Sequence, residues 1–278
     1  MRFLFLGIVA LTFLFANLQK EVSIEITKVD LGKNQVEFAA GDLRIGESGW
    51  IKVDFHNYTG IIKQVVVIAI DKKNAIGKMV DFDTLKQKYL PRPTNKVKVG
   101  DKVYFRTLNT KAFLVAPDLE SYEKVKNTHK EVEFLSPDLL MGFLLAYGGY
   151  DPTKEFFKKA CGSYAVGLLY VVNENALDIL DCQSTISLKT EDFDTSGIKE
   201  PKTPFYSRID EIKTGTLFSF MQSKKAKYYF PYFTNFAHPE RDYQTMMVKE
   251  KREIDAKLQA QKEEEKRLKL EKKKNKEK

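Results

Sequence analysis

Two cysteines, one tryptophan and three histidines in 278 residues leave little material for metal or thiol chemistry. His56, His129 and His238 are scattered without ligand spacing, so a zinc site is not expected. The sequence carries no phosphate-binding loop and no dinucleotide glycine pattern. With no catalytic constellation to build on, the chain is expected to be no enzyme and to take no cofactor. Beyond the N-terminus, long apolar runs are missing too. Leu139–Tyr147 falls well short of the ~20 residues a bilayer span needs. Basic charge is thin outside the C-terminus. Lys249–Lys278 holds 13 Lys/Arg and 8 Asp/Glu, a net +5, against +8 for the whole chain, which leaves +3 for the other 248 residues. That excess argues against a nucleic-acid-binding face on the body.

What is present suffices for a folded body. At 43% apolar and 12% aromatic residues, the chain can bury a core and is not globally disordered. Met1-Arg2 opens with positive charge, Phe3–Phe15 is apolar apart from Gly7 and Thr12, and Ala16 is a small residue placed for cleavage. This pattern predicts a signal peptide over 1–16, although Leu14 is bulkier than the residue usual there. An uncleaved anchor is the competing reading, and the run is short for one. The expected destination is the cell envelope, either the outer surface or the periplasm, with no later span. In such a compartment Cys161 and Cys182 predict one disulfide in preference to two buried thiols.

Along the chain, Val22–Asp30, Gln35–Ala39, Gly49–Phe55, Lys63–Ile70, Ala75–Phe82 and Val97–Arg106 read as short strands. Lys63–Ile70, nearly all β-branched in its centre, reads as a central, buried strand. Thr84–Leu90 suggests a helix stopped by Pro91 and Pro93. Together these predict a small β-barrel or sandwich over 22–111. From Ala112 the rhythm changes. Ala112–Val115 and Glu131–Leu135 read as strands, with a helix from Pro117-Asp118 to Thr128 between them. A second helix follows Ser136 and Pro137 and runs over Asp138–Tyr147. Asp151-Pro152 caps a third that reaches Ala160. Ser163–Val172 and Ala176–Cys182 form a hairpin about Glu174, which sets Cys182 against Val166 and ties the helix end to the outer strand. Glu191–Arg208 reads as a loop, and Asp194-Thr195-Ser196-Gly197 within it as turn chemistry, not a protease motif. Gly215–Met221 and Lys227–Phe233 read as aromatic strands closing onto an α/β module over 112–237. Tyr228, Tyr229 and Tyr232 make a candidate surface patch, because aromatics concentrate at binding hot spots. The competing reading is that alternate rings of this run fill the core. The fold class expected is therefore α+β.

Residues 238–278 form a Lys/Glu-rich tail. Glu253 with Lys257, Glu263 with Arg267 and Glu265 with Lys269 support a solvent-exposed helix. Met246, Ile254, Leu258, Leu268 and Leu270 keep no heptad, so a coiled coil is not expected. From Lys272 onward like charges predict disorder. Lys278, last in the sequence, offers an ammonium and a carboxylate a fixed reach apart. A receptor for it needs an acidic pocket, a cation for the carboxylate and aromatic walls.

Three blocks carry a resemblance: GDKVYFRTLNTKAFLVAPDLESYEKV (Gly100–Val125), SPDLLMGFL (Ser136–Leu144) and DTSGIKEPKTPFYSRIDEIKTGTLF (Asp194–Phe218). Together with weaker blocks over Val22–Phe233, they resemble the N-terminal domain of the bacterial (epsilonproteobacterial) plasminogen-binding protein A/B family. The resemblance implies an envelope or surface protein that captures host plasminogen through lysine-binding kringles. The ligands it implies are Lys278 foremost, with Lys272, Lys273, Lys274 and Lys276 assisting. Familiar members carry longer charged extensions, and a short tail offers less avidity. The alternative expectation is a structural component of a periplasmic or outer-membrane assembly, similar in element order to flagellar accessory proteins. Its body would dock on envelope protein partners and its tail would act as a linker.

Overall fold

The computed structural model describes residues 17–56, 58–82, 93–147, 149–209, 224–241 and 243–274. The expected leader 1–16, the helix expected at Thr84–Leu90, the strand expected at Gly215–Met221, and Lys276 and Lys278 lie outside the described residues. Six antiparallel strands come first: β1 (Val22–Asp30), β2 (Gln35–Ala39), β3 (Ser48–Phe55), β4 (Tyr58–Asp71), β5 (Asn74–Val80) and β6 (Lys102–Phe105). They close into a barrel in the order β1-β2-β5-β4-β3-β6, sealed by β1 against β6 from Val22 opposite Phe105 to Glu25 opposite Lys102. Period-2 alternation sends Ile26, Phe38, Ile51, Val65, Val67, Val103 and Phe105 inward, where they pack as one core. β4 is one barrel wall and not a strand buried on both faces: Val65 and Val67 are buried, whereas Ile68 is 43% exposed. Gly77 belongs to the same packing, because a Cβ there would stand 2.3 Å from the Val65 side chain and 2.9 Å from Phe38.

The second unit has β7 (Lys111–Val115), α1 (Leu119–Thr128), β8 (Glu133–Phe134), α2 (Pro137–Tyr147), α3 (Lys154–Tyr164), β9 (Leu168–Asn173), β10 (Ala176–Asp181) and β11 (Ser187–Asp192). A single 3-10 turn, Lys225–Lys227, leads into α4 (Tyr229–Ala237) and then α5 (Tyr243–Lys274). The sheet order is β11-β10-β9-β7-β8, with β7 parallel to both β8 and β9. On one face Phe113, Val115, Leu169 and Leu180 pack under α2, α3 and α4. On the other, Leu114, Tyr170 and Ile179 pack against Tyr122 and Val125 of α1, with Phe193 and Leu18. Burial on both faces suits the apolar run of β9 (LLYVVN), whose one amide, Asn173, donates to Asp178. The α+β class and the barrel followed by a helix-covered sheet are as the sequence predicts.

Several local expectations are corrected. Tyr229–Ala237 is a helix, not a closing strand. Pro231 sits in its first turn, where a missing N–H costs nothing, and Tyr229, Phe233 and Phe236 then recur on one buried face. Thr153, not Asp151, caps α3 by accepting from the Phe156 N–H at 3.2 Å, and α3 continues to Tyr164, beyond Ala160. Asp151 instead accepts from the N–H groups of Lys225 (3.1 Å) and Ala226 (2.8 Å), anchoring the start of the 3-10 turn. The β9–β10 hairpin turns on two residues, Glu174 and Asn175, the latter at φ +58°. Cys182 therefore pairs with Gly167, whose carbonyl it meets at 3.0 Å, and not with Val166. The Cys161–Cys182 disulfide still joins α3 to the end of β10. β11 occupies Ser187–Asp192; only Glu191 and Asp192 of it fall in the expected Glu191–Arg208 loop, and the sequence reading assigns no element to Ser187–Thr190.

Candidate functional site

The tail leaves the body through α4. Buried Tyr229 holds α4 to the sheet: its hydroxyl donates to the Val172 carbonyl at 2.8 Å, with the Val115 carbonyl at 3.3 Å. Full burial pushes this hydroxyl's pKa well above the usual tyrosine value. Tyr229 is thus a core anchor and no part of a surface patch. Tyr232 is half-buried and donates to the Pro152 carbonyl at 3.1 Å, while Tyr228 is half-buried with the Lys227 ammonium 4.8 Å from its ring centre. The proposed patch does not assemble. Replacing Tyr229 with Phe keeps the ring and loses the hydrogen bonding; an expected loss of about 1 kcal/mol is read from the urea midpoint.

At the far end of α4, His238 is fixed from beneath. Its Nε2 lies 2.9 Å from Asp178, a fully buried carboxylate on β10. Asp178 also accepts from Asn173, from Ser187 Oγ at 2.9 Å and from Thr190 Oγ1 at 2.5 Å. The serine and threonine bond the carboxylate and not the imidazole, so this is a structural hub and not a nucleophile with its base. An open groove of about 480 Å³ runs beside it, lined by Lys154, Ser187, Thr190, His238 and Glu240 among others. Burial, with Lys158 adding to it, holds the Lys154 ammonium below its usual range.

A second buried network joins barrel to sheet. Arg106 follows β6 at φ +62° with its side chain 1% exposed. Its Nε and Nη2 donate to Glu47 at 2.9 and 3.1 Å, and Nη1 donates to the Asp42 carboxylate at 2.9 Å. Nη2 also reaches the Asp42 carbonyl at 3.2 Å, and Nη1 the Asn17 carbonyl at 3.1 Å. All five guanidinium donors are used. Burial pushes the Glu47 carboxyl up against the pull of Arg106, whereas the bond from Arg106 holds the Asp42 carboxyl low. Nearby, Ser48 donates to Asp181 through its N–H (2.9 Å) and its hydroxyl (2.8 Å), and Arg44 donates to the Leu188 carbonyl at 2.6 Å.

α5 extends for 32 residues, about 48 Å at ~1.5 Å per residue. Lys249 lies 3.6 Å from Glu174 near its start, and Arg267 pairs with Glu264 at 3.1 Å, three residues away. Lys272–Lys274, expected to be disordered, make the last described turn: lysine is a good helix former, and helix propagation outweighs weak repulsion in water. Among the described residues no group of three or more His, Cys, Asp or Glu is arranged to hold a metal, and no helix is long and apolar enough to cross a membrane.

No solved structure matches this chain. Two curated relatives do, each named plasminogen-binding protein PgbA, from Helicobacter pylori strains J99 and 26695. Each is 38% identical over 233 residues, covering 83% of this chain and 51% of the relative. The chain thus spans about half the length of the curated relatives it matches. The family described as "Plasminogen-binding protein pgbA N-terminal" matches residues 21–237, which run from the edge of β1 to the end of α4 and omit α5. On that match, covering most of its length, the chain belongs to the plasminogen-binding protein PgbA N-terminal family.

Proposed function

We propose that this protein is exported by its 1–16 leader to the cell surface and there captures plasminogen through the lysines of its C-terminal tail: Lys278, supported by Lys272, Lys273, Lys274 and Lys276. The observation that carries this reading is membership of a family named for plasminogen binding, together with a lysine-dense helix of 32 residues that follows the folded body. On this reading the distal lysines enter an acidic, aromatic-walled kringle pocket. In a chain that ends at Lys278, that residue supplies both charges of the ligand, and the internal lysines supply the ammonium alone. The test is plasminogen binding to the full chain before and after a basic carboxypeptidase, and with a free lysine analogue. Loss of binding in both is expected; binding retained after both treatments overturns the proposal.

A second reading has its own support. The family match stops at residue 237, so what this chain shares with the family is the body. On this reading the body docks in an envelope assembly and the tail is a linker. A chain lacking residues 242–278 that keeps its envelope location and its cell phenotype favours the body; loss of plasminogen binding alone favours the tail.

A further inference from the structure

We propose that α2 and the lysines beside its C-terminal end form a docking face for an acidic phospholipid bilayer. The proposal stands independently of plasminogen capture. α2 (PDLLMGFLLAY) is apolar all round, apart from Asp138 in its first turn. Asp138 is taken up by Arg208, whose guanidinium approaches to 2.6 Å and whose backbone N–H donates to it at 2.8 Å. A helix with no polar face is ordinarily covered on all sides. Here only Pro137, Leu140, Met141 and Leu144 are buried, against the sheet. The opposite stripe contains Leu139, 44% exposed, then Gly142 and Ala146; Tyr147, 40% exposed, ends the helix with its ring against Phe156. Among the described residues, a Cβ added to Gly142 would meet no atom within 4 Å.

Charge and ring chemistry at the C-terminal end select the occupant. The Lys159 ammonium lies 5.2 Å from the Tyr147 ring centre and 3.6 Å from the exposed Glu155 carboxylate, and the Lys224 ammonium lies 5.7 Å from the ring centre of Tyr150. Lys227 lies similarly over Tyr228. Tyrosines paired with lysines at the rim of an apolar helix suit the bilayer interface: rings settle at headgroup depth, stems lie along apolar surface and ammonium groups meet lipid phosphate. A helix of 11 residues buries little apolar area, so it holds a membrane only with electrostatic help, which acidic headgroups provide and zwitterionic ones do not.

The full chain is mixed with sedimentable vesicles of phosphatidylglycerol or of phosphatidylcholine. Sedimentation with the first and not the second is expected. Ala146→Glu, on the exposed stripe, reduces it at least tenfold. Neutralising Lys159, Lys224 and Lys227 to Gln reduces it by about fivefold per lysine. Both variants keep the native circular dichroism spectrum. Binding that survives Ala146→Glu but not the lysine changes is plain charge attraction and overturns the proposal, as does binding that survives both. A wild-type chain that sediments with neither vesicle has the stripe covered by another part of itself. One that instead self-associates in ultracentrifugation has it covered by a second copy. Either result overturns the proposal.

Discussion

Replacing Arg106 with Met lowers the stability of this protein by about 3–5 kcal/mol, the cost typical of breaking a buried ion pair from one side. The Glu47 carboxylate, with its side chain 2% exposed, loses its bidentate partner and keeps, among the described residues, the Arg44 N–H at 3.0 Å. The Asp42 carbonyl and the Asn17 carbonyl lose donors in the same step. Urea denaturation reads this as a lower midpoint at unchanged slope. Adding Glu47→Leu to the Arg106→Met chain recovers most of the loss, because the orphaned charge is gone. Asp42→Asn alone costs under ~1 kcal/mol, since its side chain is 50% exposed and water replaces the partner. The pH dependence has a definite sign. Burial already raises the Glu47 carboxyl, and removing the guanidinium raises it further. A raised acid binds its proton in the folded state first, so the variant's deficit is greatest at neutral pH. It shrinks as pH falls through the raised value. A deficit that instead grows on acidification contradicts this account.

The second large effect lies at the root of the tail. Asp178→Ala leaves the Asn173 amide, two hydroxyls and His238 without their shared acceptor, and an expected loss of about 3–5 kcal/mol follows. Asp178→Asn keeps one carbonyl oxygen for Ser187 and Thr190 but turns a donor toward His238 or Asn173, and costs about 1–3 kcal/mol. The two are separable from general unfolding by hydrogen exchange. Amides of α4 lose protection, while those of β3 and β4 in the barrel keep theirs. Equal loss across both regions argues that the hub is merely one more buried contact.

Both networks were invisible in the sequence, for the same physical reason. Arg106 lies in an alternating stretch where a basic residue reads as an outward strand position, and its partners Glu47, Asp42 and Asn17 are 59 to 89 residues away. Asp178 sits at a place in ALDILD that a hairpin reading assigns to polar alternation, and its donors arrive from β9, β11 and the end of α4. Local pattern reports period and caps, not who meets whom across the core. Where period and turn chemistry are strong, they suffice: β1 and β2 coincide with the stretches read from the sequence, and α2 starts at Pro137 as the Ser136-Pro137 signal requires. They fail at KYYFPYF, where β propensity of the rings competes with a proline that a helix's first turn accepts and a central strand does not. They also miss β11, because Lys189, Thr190 and Glu191 have the charge of an edge strand and give no apolar alternation to read. As for the tail, its lysines and helical character are plain in composition alone, and its attachment through Tyr229, Thr234 and His238 is not.

That attachment has a mechanical consequence. A pull on α5 first meets the Lys249–Glu174 contact and then, at the C-terminal end of α4, the bonds of His238 to Asp178 and of the Glu174 N–H to Thr234 Oγ1. The load therefore reaches these contacts one at a time, as in unzipping, before it reaches the Tyr229 and Phe233 rings deeper under the helix. Behind them the Cys161–Cys182 bridge closes a loop of chain that tension cannot lengthen. β11 (Ser187–Asp192) lies outside that closed loop, so a pull that passes α4 peels this edge strand from β10 before it meets the covalent stop.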